Sequence, residues 1–352
     1  MDFYAVPSPP QAPLLDPDNR TWTLSRYADV QSAMRDPACR QISEKGQVTY
    51  VAGAPDHLEL RATVLADVDR LSSPQVHTMM LETARSVFAQ VPRNRTINLV
   101  TEVIEPWVTE VFLKLSTEED DLREQLAGII PLLLYRRDKD PSWWARRVLG
   151  QKLSADWYKA RRKKAEVRLV QLVSVGKIKL TKPTFLGGTQ TLPSFLAKAW
   201  LALLQNPEQM SKLRDNPNSI GWAVEELLRY SGSVHTLHRL ATEDIVIGDA
   251  AIAKGDHIIL KLESANRDPL RFDSPNCLDI SRRQSGNLGL GTGAHACAGA
   301  AIIRIAATLI TPVFVAASPC LDPDISVFWT GDSSVRWPTK VPARLTALPE
   351  GQ

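Results

Sequence analysis

The sequence has few cysteines, no long apolar run and no marked excess of charge. Its four cysteines are scattered without paired spacing, which is typical of free thiols in a reducing compartment rather than of a disulfide framework. No stretch reaches the roughly 18 to 20 unbroken apolar residues that span a bilayer. The proline-rich, acidic N-terminus lacks the basic start and apolar core of a signal peptide. We therefore expect a cytoplasmic protein that does not bind membranes.

Charge and composition narrow the class of protein further. The 42 basic and 39 acidic residues leave a net charge of +3, which is too small to predict nucleic acid as a partner. Apolar residues make up 44% and charged residues 23% of the chain, as in an ordinary globular protein. Because the 352 residues contain no internal repeat and no low-complexity linker, we expect a single domain over residues 1–352.

Hydrophobic periodicity predicts mostly helices. A short alternating segment and then a helical pattern that stops at Pro37 open the chain, and helical periodicity dominates most of the later sequence. Two short strand patterns, DIVIGDAAI and HIILKLE, flank a turn at residues 254–256. An apolar helix is predicted from 298 to about 315. This order indicates a mainly α fold with a small β region (α+β), not an alternating doubly wound fold.

The stretch LGLGTGAHACAGAA carries the strongest chemical signal. A thiol at the start of the following helix feels the positive end of the helix dipole, which favours a thiolate that can bind metal. The glycines allow a tight loop and a close approach of the backbone to a flat cofactor. The alternative is a glycine-rich turn around a buried structural cysteine. The residues concerned are Gly291, Gly293, His295, Cys297 and Gly299.

This stretch resembles the haem-thiolate loop of the cytochrome P450 superfamily, in which the axial ligand of the iron stands at the position of Cys297. The segment from His238 to Phe272, with its Ala-Asn-Arg-Asp-Pro run, is similar to the bacterial members. The resemblance implies a cytochrome P450 fold with a proximal cysteine loop and a distal helix. It also implies haem b (heme b, iron protoporphyrin IX) as cofactor, with the iron on Cys297.

Further positions match the residues that hold the cofactor in this family. His57 and Arg61 are four residues apart and therefore share a helix face, where they match the helix that binds a haem propionate. Anionic propionates require cationic or hydrogen-bonding partners, and arginine binds carboxylates well. By resemblance, Arg239 and His295 also bind propionates. The expected cofactor-binding residues are His57, Arg61, Arg239, His295, Leu290, Gly291 and Gly299.

A pair of charged residues matches the family's structural brace. Glu226 and Arg229 lie three apart on one helical face. Cys277 stands where the family has a basic residue that completes the brace. This departure weakens the match to the brace, not the match at Cys297.

The distal side departs from the family pattern. By alignment, the segment GGTQTL, residues 187–192, falls at the bend where oxygen is activated, with Thr191 retained and Gln190 in place of the usual acid. An amide cannot deliver a proton as an acid does, although it can hold a water that does. Pro183 and Pro193 predict a short or kinked distal helix. The expected substrate-pocket residues are Val234, His235, Thr236 and Leu237.

The resemblance implies a monooxygenase that inserts oxygen from O2 into a small apolar or aromatic substrate of secondary metabolism. Since no nucleotide or iron–sulfur motif is present, electrons are expected from a ferredoxin or similar donor. We expect a monomer. Two alternatives stay open. One is a peroxide-driven or non-oxygenating haem-thiolate enzyme, and the other is a P450-shaped recruitment module that docks through the basic run at residues 161–164.

Overall fold

The computed structural model describes residues 8–43, 45–49, 51–133, 155–331 and 334–346. Most of the described residues are helical, as the periodicity predicts. The α-helices are α1 (Tyr27–Arg35), α2 (Pro55–Leu71), α3 (Pro74–Gln90), α4 (Glu105–Ser116), α5 (Asp120–Leu133), α6 (Ala155–Ser174), α7 (Lys182–Gln205), α8 (Pro207–Asp215), α9 (Ile220–Ser231), α10 (Leu262–Ala265) and α11 (Ala300–Ala316).

The strands are short and form small sheets. They are β1 (Leu14–Asp16), β2 (Thr21–Leu24), β3 (Cys39–Ile42), β4 (Ile97–Asn98), β5 (Thr236–Ala241), β6 (Ile245–Ile247), β7 (Ala250–Ile252), β8 (His257–Lys261), β9 (Pro319–Leu321), β10 (Phe328–Gly331), β11 (Arg336–Lys340) and β12 (Pro342–Leu345). The prediction of a mainly α fold with a small β region is confirmed. No helix in the described part of the chain is both long and apolar enough to cross a membrane.

The contacts divide the chain into two compact units. The sheet unit comprises the described residues of 1–62, 198–300 and 332–336, and the helical unit comprises those of 63–197, 301–331 and 337–352. The single domain over residues 1–352 stays a prediction.

The sheet unit is built on a five-stranded sheet with the order β1-β2-β8-β5-β3. Strand β8 runs parallel to β2 and antiparallel to β5, and β6 and β7 form a separate hairpin. The strands predicted from DIVIGDAAI and HIILKLE are therefore confirmed. Helix α1 packs against the sheet, and the shared core contains fully buried Leu24, Val30, Ile258 and Phe272. This core fixes the two strands, β3 and β5, that flank the predicted site.

The helical unit is held together by buried aromatic residues and a small sheet with the order β4-β12-β9. Trp107 is fully buried on α4, and its Nε1 donates a hydrogen bond of 3.1 Å to the carbonyl oxygen of Met80 on α3. The rings of Phe112 and Phe185 pack edge to face with centroids 5.7 Å apart. These contacts join α3, α4 and α7, and so position the first half of α7.

Helix α7 is the predicted distal helix, and its prolines do not shorten it. It runs over 24 residues with Pro193 inside it. Pro183 is the second helical residue, a place where the missing N–H group has no partner to lose. Pro193 removes one interior hydrogen bond, but Leu192, Phe195 and Leu196 around it are buried. Packing therefore maintains the helix across a residue that disfavours it.

Candidate functional site

The loop that ends in Cys297 is closed by backbone hydrogen bonds in the sheet unit. The Cys297 N–H donates to the carbonyl oxygen of Leu290 at 2.9 Å, and the Ala300 N–H donates to that of Cys297 at 3.2 Å. Helix α11 begins at Ala300, two residues later than predicted. The thiol of Cys297 is exposed and forms no disulfide with a described cysteine. The cysteine therefore stands just before a helix, with its sulfur accessible to a ligand.

The glycines of the loop differ in what they contribute. Gly291 and Gly293 adopt positive φ angles of 75° and 74°, which other residues adopt only at a cost. A Cβ atom at Gly293 would lie only 2.6 Å from the carbonyl oxygen of Met34 on α1. A Cβ atom at Gly299 would meet open space. Gly293 is thus required by the fold itself, whereas the fold places no such demand on Gly299.

Two of the predicted propionate-binding residues lie on one turn of α2, next to the cysteine loop. His57 is buried, and its ring packs against that of His295 with centroids 4.7 Å apart and an interplanar angle of 61°. Arg61 Nη1 donates a hydrogen bond of 2.7 Å to the carbonyl oxygen of Ala296, the residue before Cys297. The four-residue spacing therefore predicts the shared face correctly, and that face contacts the loop.

Arg239 lies on β5, where it pairs with Gln41 of β3 on one side and Ile258 of β8 on the other. Its side chain is 1% exposed, and Nη1 donates to the carbonyl oxygen of His238 at 3.0 Å. The Nε atom is buried without a hydrogen-bond partner among the described residues. Burial lowers the pKa of Arg239 from 12.5 to about 10. A buried guanidinium with an unpaired N–H group indicates an anionic partner that the polypeptide itself does not supply.

The electrostatics of this cluster also favour an anion. Burial, together with the nearby charges of Arg239, His57 and Arg61, lowers the pKa of His295 to about 4. Neither Arg61 nor Arg239 forms an ion pair with a described carboxylate. Two guanidinium groups thus converge beside two histidine rings, and neither guanidinium has a counter-ion in the described part of the chain. The residues present fit a cofactor that carries two carboxylates and accepts a thiolate ligand.

The brace around Glu226 contains the predicted pair and a third, basic member. Arg229 Nε and Nη2 donate to the two carboxylate oxygens of Glu226 at 2.7 and 2.8 Å. Arg282 Nε donates to Oε2 of Glu226 at 3.0 Å. Cys277 contributes only its carbonyl oxygen, which accepts from Arg229 and Arg282 at 3.1 and 3.4 Å. The basic pair Arg282–Arg283, five residues after Cys277, is the sequence signal that could have identified the third member.

The brace supports the cysteine loop through Asn266. Arg229 Nη1 donates to the backbone carbonyl oxygen of Asn266, and the side-chain oxygen of Asn266 accepts from the Leu288 N–H, both at 2.7 Å. Leu288 stands at the start of the loop that ends in Cys297. The buried ion cluster is therefore linked to the candidate ligand by a short hydrogen-bonded path.

Thr191 and Gln190 lie in the first half of α7, in the helical unit. Thr191 is exposed, and its Oγ1 donates to the carbonyl oxygen of Gly187 at 2.8 Å. Gln190 is half-buried. A Cβ atom at Gly188 would lie 2.1 Å from the ring of Phe112, so this turn packs close to α4. The catalytic role of Thr191 and Gln190 stays a prediction.

The predicted substrate segment joins α9 to β5. Val234 pairs with Val335, Thr236 is buried and Leu237 is half-buried. His235 is engaged by two residues that sequence reasoning missed: its Nε2 lies 2.7 Å from Nζ of Lys198 and 2.9 Å from Oε1 of Glu263. Lys198 stands in an otherwise apolar helical stretch, which is the one sequence signal for it. The assignment of Val234, His235, Thr236 and Leu237 to a substrate pocket stays a prediction.

Comparison with known proteins gives matches of three kinds. The family model described as Cytochrome P450 matches residues 178–315. The biotin biosynthesis cytochrome P450 of Bacillus subtilis is 27% identical over 79% of this chain and 74% of its own length. The vitamin D(3) 25-hydroxylase of Pseudonocardia autotrophica is 26% identical over 82% of this chain and 78% of its own length.

The fold matches as well. The crystal structure of the cytochrome P450 enzyme CYP109B1 from Bacillus subtilis aligns with 95% of each chain at a TM-score of 0.75 and 21% identity. The predicted cytochrome P450 fold is therefore confirmed. Proteins of this family bind haem b. The Cys297 thiol is suited to its iron, and Arg61, Arg239, His57 and His295, here called the cationic cluster, are suited to its carboxylates. The matched family model, the bacterial relatives and the shared fold together support the assignment of this chain to the bacterial-type cytochromes P450.

Proposed function

We propose that this cytochrome P450 is a monooxygenase that inserts one oxygen atom of O2 into a small apolar or aromatic substrate of secondary metabolism. The observation that carries the proposal is the buried Arg239 guanidinium, unpaired at Nε, in the same unit as the exposed Cys297 thiol. In the overall reaction, substrate R–H, O2, two electrons and two protons give R–OH and water. When bound, haem supplies the redox chemistry, and a cysteine thiolate favours O–O cleavage.

The sheet unit would hold and orient the cofactor. Arg61, Arg239, His57 and His295 would neutralise its two carboxylates, and Cys297 would ligate the iron. The hydrogen bond from Arg61 to Ala296 would fix the loop next to the ligand. Because the brace is fully hydrogen-bonded, the loop would keep one geometry as the cofactor changes oxidation state.

The distal helix would manage protons. Thr191 Oγ1 now donates to Gly187, and its lone pairs can accept a proton from water while its hydrogen is passed on. Gln190 carries no acidic proton, so it would hold the water that supplies one. Proton delivery would therefore depend on Thr191 and on water positioned by Gln190.

The remaining parts of the proposal concern partners and location. Since the reaction consumes two electrons, a ferredoxin or similar donor would supply them to a monomeric, cytoplasmic enzyme. The names of two relatives support biosynthetic or hydroxylating chemistry: one acts in biotin biosynthesis and the other is a vitamin D(3) 25-hydroxylase.

Product analysis with labelled oxygen tests the proposal. Small apolar and aromatic compounds are first screened for ligand-induced shifts of the haem absorption band. The compounds that bind are then incubated with NADPH, a surrogate ferredoxin chain and 18O2. We expect a product that carries one labelled oxygen atom. Turnover without label in the product would contradict the proposal.

A second function is favoured by Gln190, which replaces the family's usual acid. In a peroxide-driven enzyme, the two electrons and two protons arrive with the peroxide, so no supply of protons from solvent through this position is needed. Parallel reactions with hydrogen peroxide and with the NADPH chain separate the two functions. Product formed with peroxide alone would favour the second.

A further inference from the structure

A buried lysine in the sheet unit organises a group of three charged or polar side chains. Lys198 is 1% exposed, and its Nζ lies 2.7 Å from the carbonyl oxygen of Gly232, 2.7 Å from Nε2 of His235 and 3.2 Å from Oε1 of Glu263. A buried charge is tolerated only when it is paired and hydrogen-bonded. The Gly232 carbonyl oxygen and the Glu263 carboxylate accept from Nζ, so the charge of Lys198 is paired and hydrogen-bonded here.

This arrangement engages Nε2 of His235 from two sides. That nitrogen lies 2.7 Å from Nζ of Lys198 and 2.9 Å from Oε1 of Glu263, and its role as donor or acceptor depends on the tautomer. Burial lowers the pKa of His235, and the charge of Lys198 opposes its protonation. Nδ1 makes no hydrogen bond to a described residue. Nδ1 is therefore the ring nitrogen of His235 that can contact a ligand.

A cavity of about 360 Å³ adjoins this group. Such a volume suits a small molecule. The cavity lies wholly within the sheet unit, between residues 8–14 and one end of the five-stranded sheet, and His235, Lys261 and Glu263 line it. Three residues with polar or charged side chains therefore line one cavity.

Two of these residues, Lys261 and Glu263, can form further hydrogen bonds. Lys261 Nζ makes no hydrogen bond or ion pair with a described residue. The contacts of Glu263 with Lys198 and His235 involve Oε1, which leaves Oε2 as an acceptor. Burial alone would raise the pKa of Glu263, but its contact with His235 and the charge of Lys198 lower it to about 2. The residues that line the cavity therefore offer one charged donor, one ionised acceptor and one ring nitrogen of His235.

Opposite charges at the cavity select the ligand. The charges of Arg267 and Arg336 act on this group in addition to that of Lys198. Lys261 can bind an anionic oxygen, and Oε2 of Glu263 can accept from a hydroxyl or amino group next to it. We propose that this cavity binds a small organic carboxylate with a hydroxyl or amino group beside the carboxylate. The site involves neither Cys297 nor the cationic cluster. It includes His235 and Thr236 of the predicted substrate segment, and the binding itself requires no oxygen chemistry.

Ligand titrations on the full, haem-loaded chain test this site. Glycolate is the probe, glycolamide removes its anionic charge and acetate removes its donor. We expect a Kd for glycolate in the range of about 1 to 10 mM, as for a very small ligand, and binding at least about tenfold weaker for glycolamide. Acetate is expected to bind about threefold to tenfold more weakly than glycolate. Isothermal titration or saturation-transfer NMR measures these constants, while an unchanged haem spectrum excludes binding at the iron.

Variants locate the binding. Lys261→Met should weaken glycolate binding at least about tenfold, since it removes the charged donor. Lys254→Met, at an exposed turn of the same unit, is the matched control and should bind as the wild type does. Two outcomes would overturn the proposal. One is equal or absent binding of glycolate and glycolamide to the wild type, a comparison that needs no variant. The other is the same affinity for glycolate in Lys261→Met as in Lys254→Met.

Discussion

Arg61 donates a 2.7 Å hydrogen bond to the carbonyl oxygen of Ala296, and so ties helix α2 to the residue directly before Cys297. The two residues are 235 positions apart in the chain. A single contact thus joins a group suited to holding a carboxylate with the loop suited to holding iron. A carboxylate bound to Arg61 is expected to stabilise the loop around Cys297, and iron bound to that loop is expected to stabilise the position of Arg61.

The cationic cluster predicts that haem affinity depends on Arg239. Arg239→Met should weaken haem binding at least about tenfold, since a buried charge-assisted interaction contributes roughly 2 to 5 kcal/mol. Arg239→Lys should retain part of the affinity. Arg214→Met, at an exposed site on α8, is the control. Haem transfer to apomyoglobin measures the affinity, and equal transfer rates for Arg239→Met and Arg214→Met would contradict the assignment.

The brace predicts a large loss of stability in Glu226→Gln. This change leaves the buried Arg229 and Arg282 without their shared carboxylate, and breaking a buried ion pair costs roughly 3 to 5 kcal/mol. Glu208→Gln, at an exposed site on α8, should change stability by less than about 0.5 kcal/mol. Urea unfolding measures both. A similar midpoint for the two variants would rule out this role of Glu226.

Cys277 provides a complementary test of the same cluster. Since only its carbonyl oxygen accepts from Arg229 and Arg282, Cys277→Ser should leave the stability within about 0.5 kcal/mol of the wild type. Arg282→Met should be markedly less stable in the same urea titration. If Cys277→Ser were the more harmful of the two, the third member of the brace would be misassigned.

Much of this site was predictable from sequence because its signals are local. The Cys297 loop is a compact motif, and the four-residue spacing of His57 and Arg61 follows directly from helix geometry. Arg282 was missed because alignment placed the basic position at Cys277, and only the fold shows which side chain reaches Glu226. The Lys198 group was missed because its members come from three separate elements. The length of α7 was misjudged because packing outweighs the local effect of Pro193.

The two loop glycines predict opposite outcomes for the same substitution. Gly293→Ala forces a side chain into a positive φ and against Met34, and should cost at least about 1 to 2 kcal/mol of stability. Gly299→Ala meets open space, so its haem-free stability should equal that of the wild type. Thermal unfolding of the haem-free proteins compares them. A greater loss in Gly299→Ala would contradict the loop geometry.

The buried lysine predicts a specific pH dependence. Burial lowers the pKa of Lys198 from 10.5 to about 8, so between these values the unfolded chain binds more protons than the folded one. Stability contributed by this group should therefore rise as pH increases from 8 to 10.5. Lys198→Met should lose this rise, whereas exposed Lys254→Met should keep it. Urea titrations between pH 8 and 10.5 measure the free energy of unfolding of the three proteins. Parallel pH profiles for all three would exclude the assignment.

The central claim is that the sulfur of Cys297 ligates haem iron, and the spectrum of the dithionite-reduced protein with CO tests it most directly. We expect the red-shifted Soret band that marks a thiolate ligand in the wild type, and its loss in Cys297→Ala. Cys320→Ala removes another exposed cysteine and should leave the band unchanged. An identical spectrum for wild type and Cys297→Ala, or failure of the wild type to take up haem, would contradict the account.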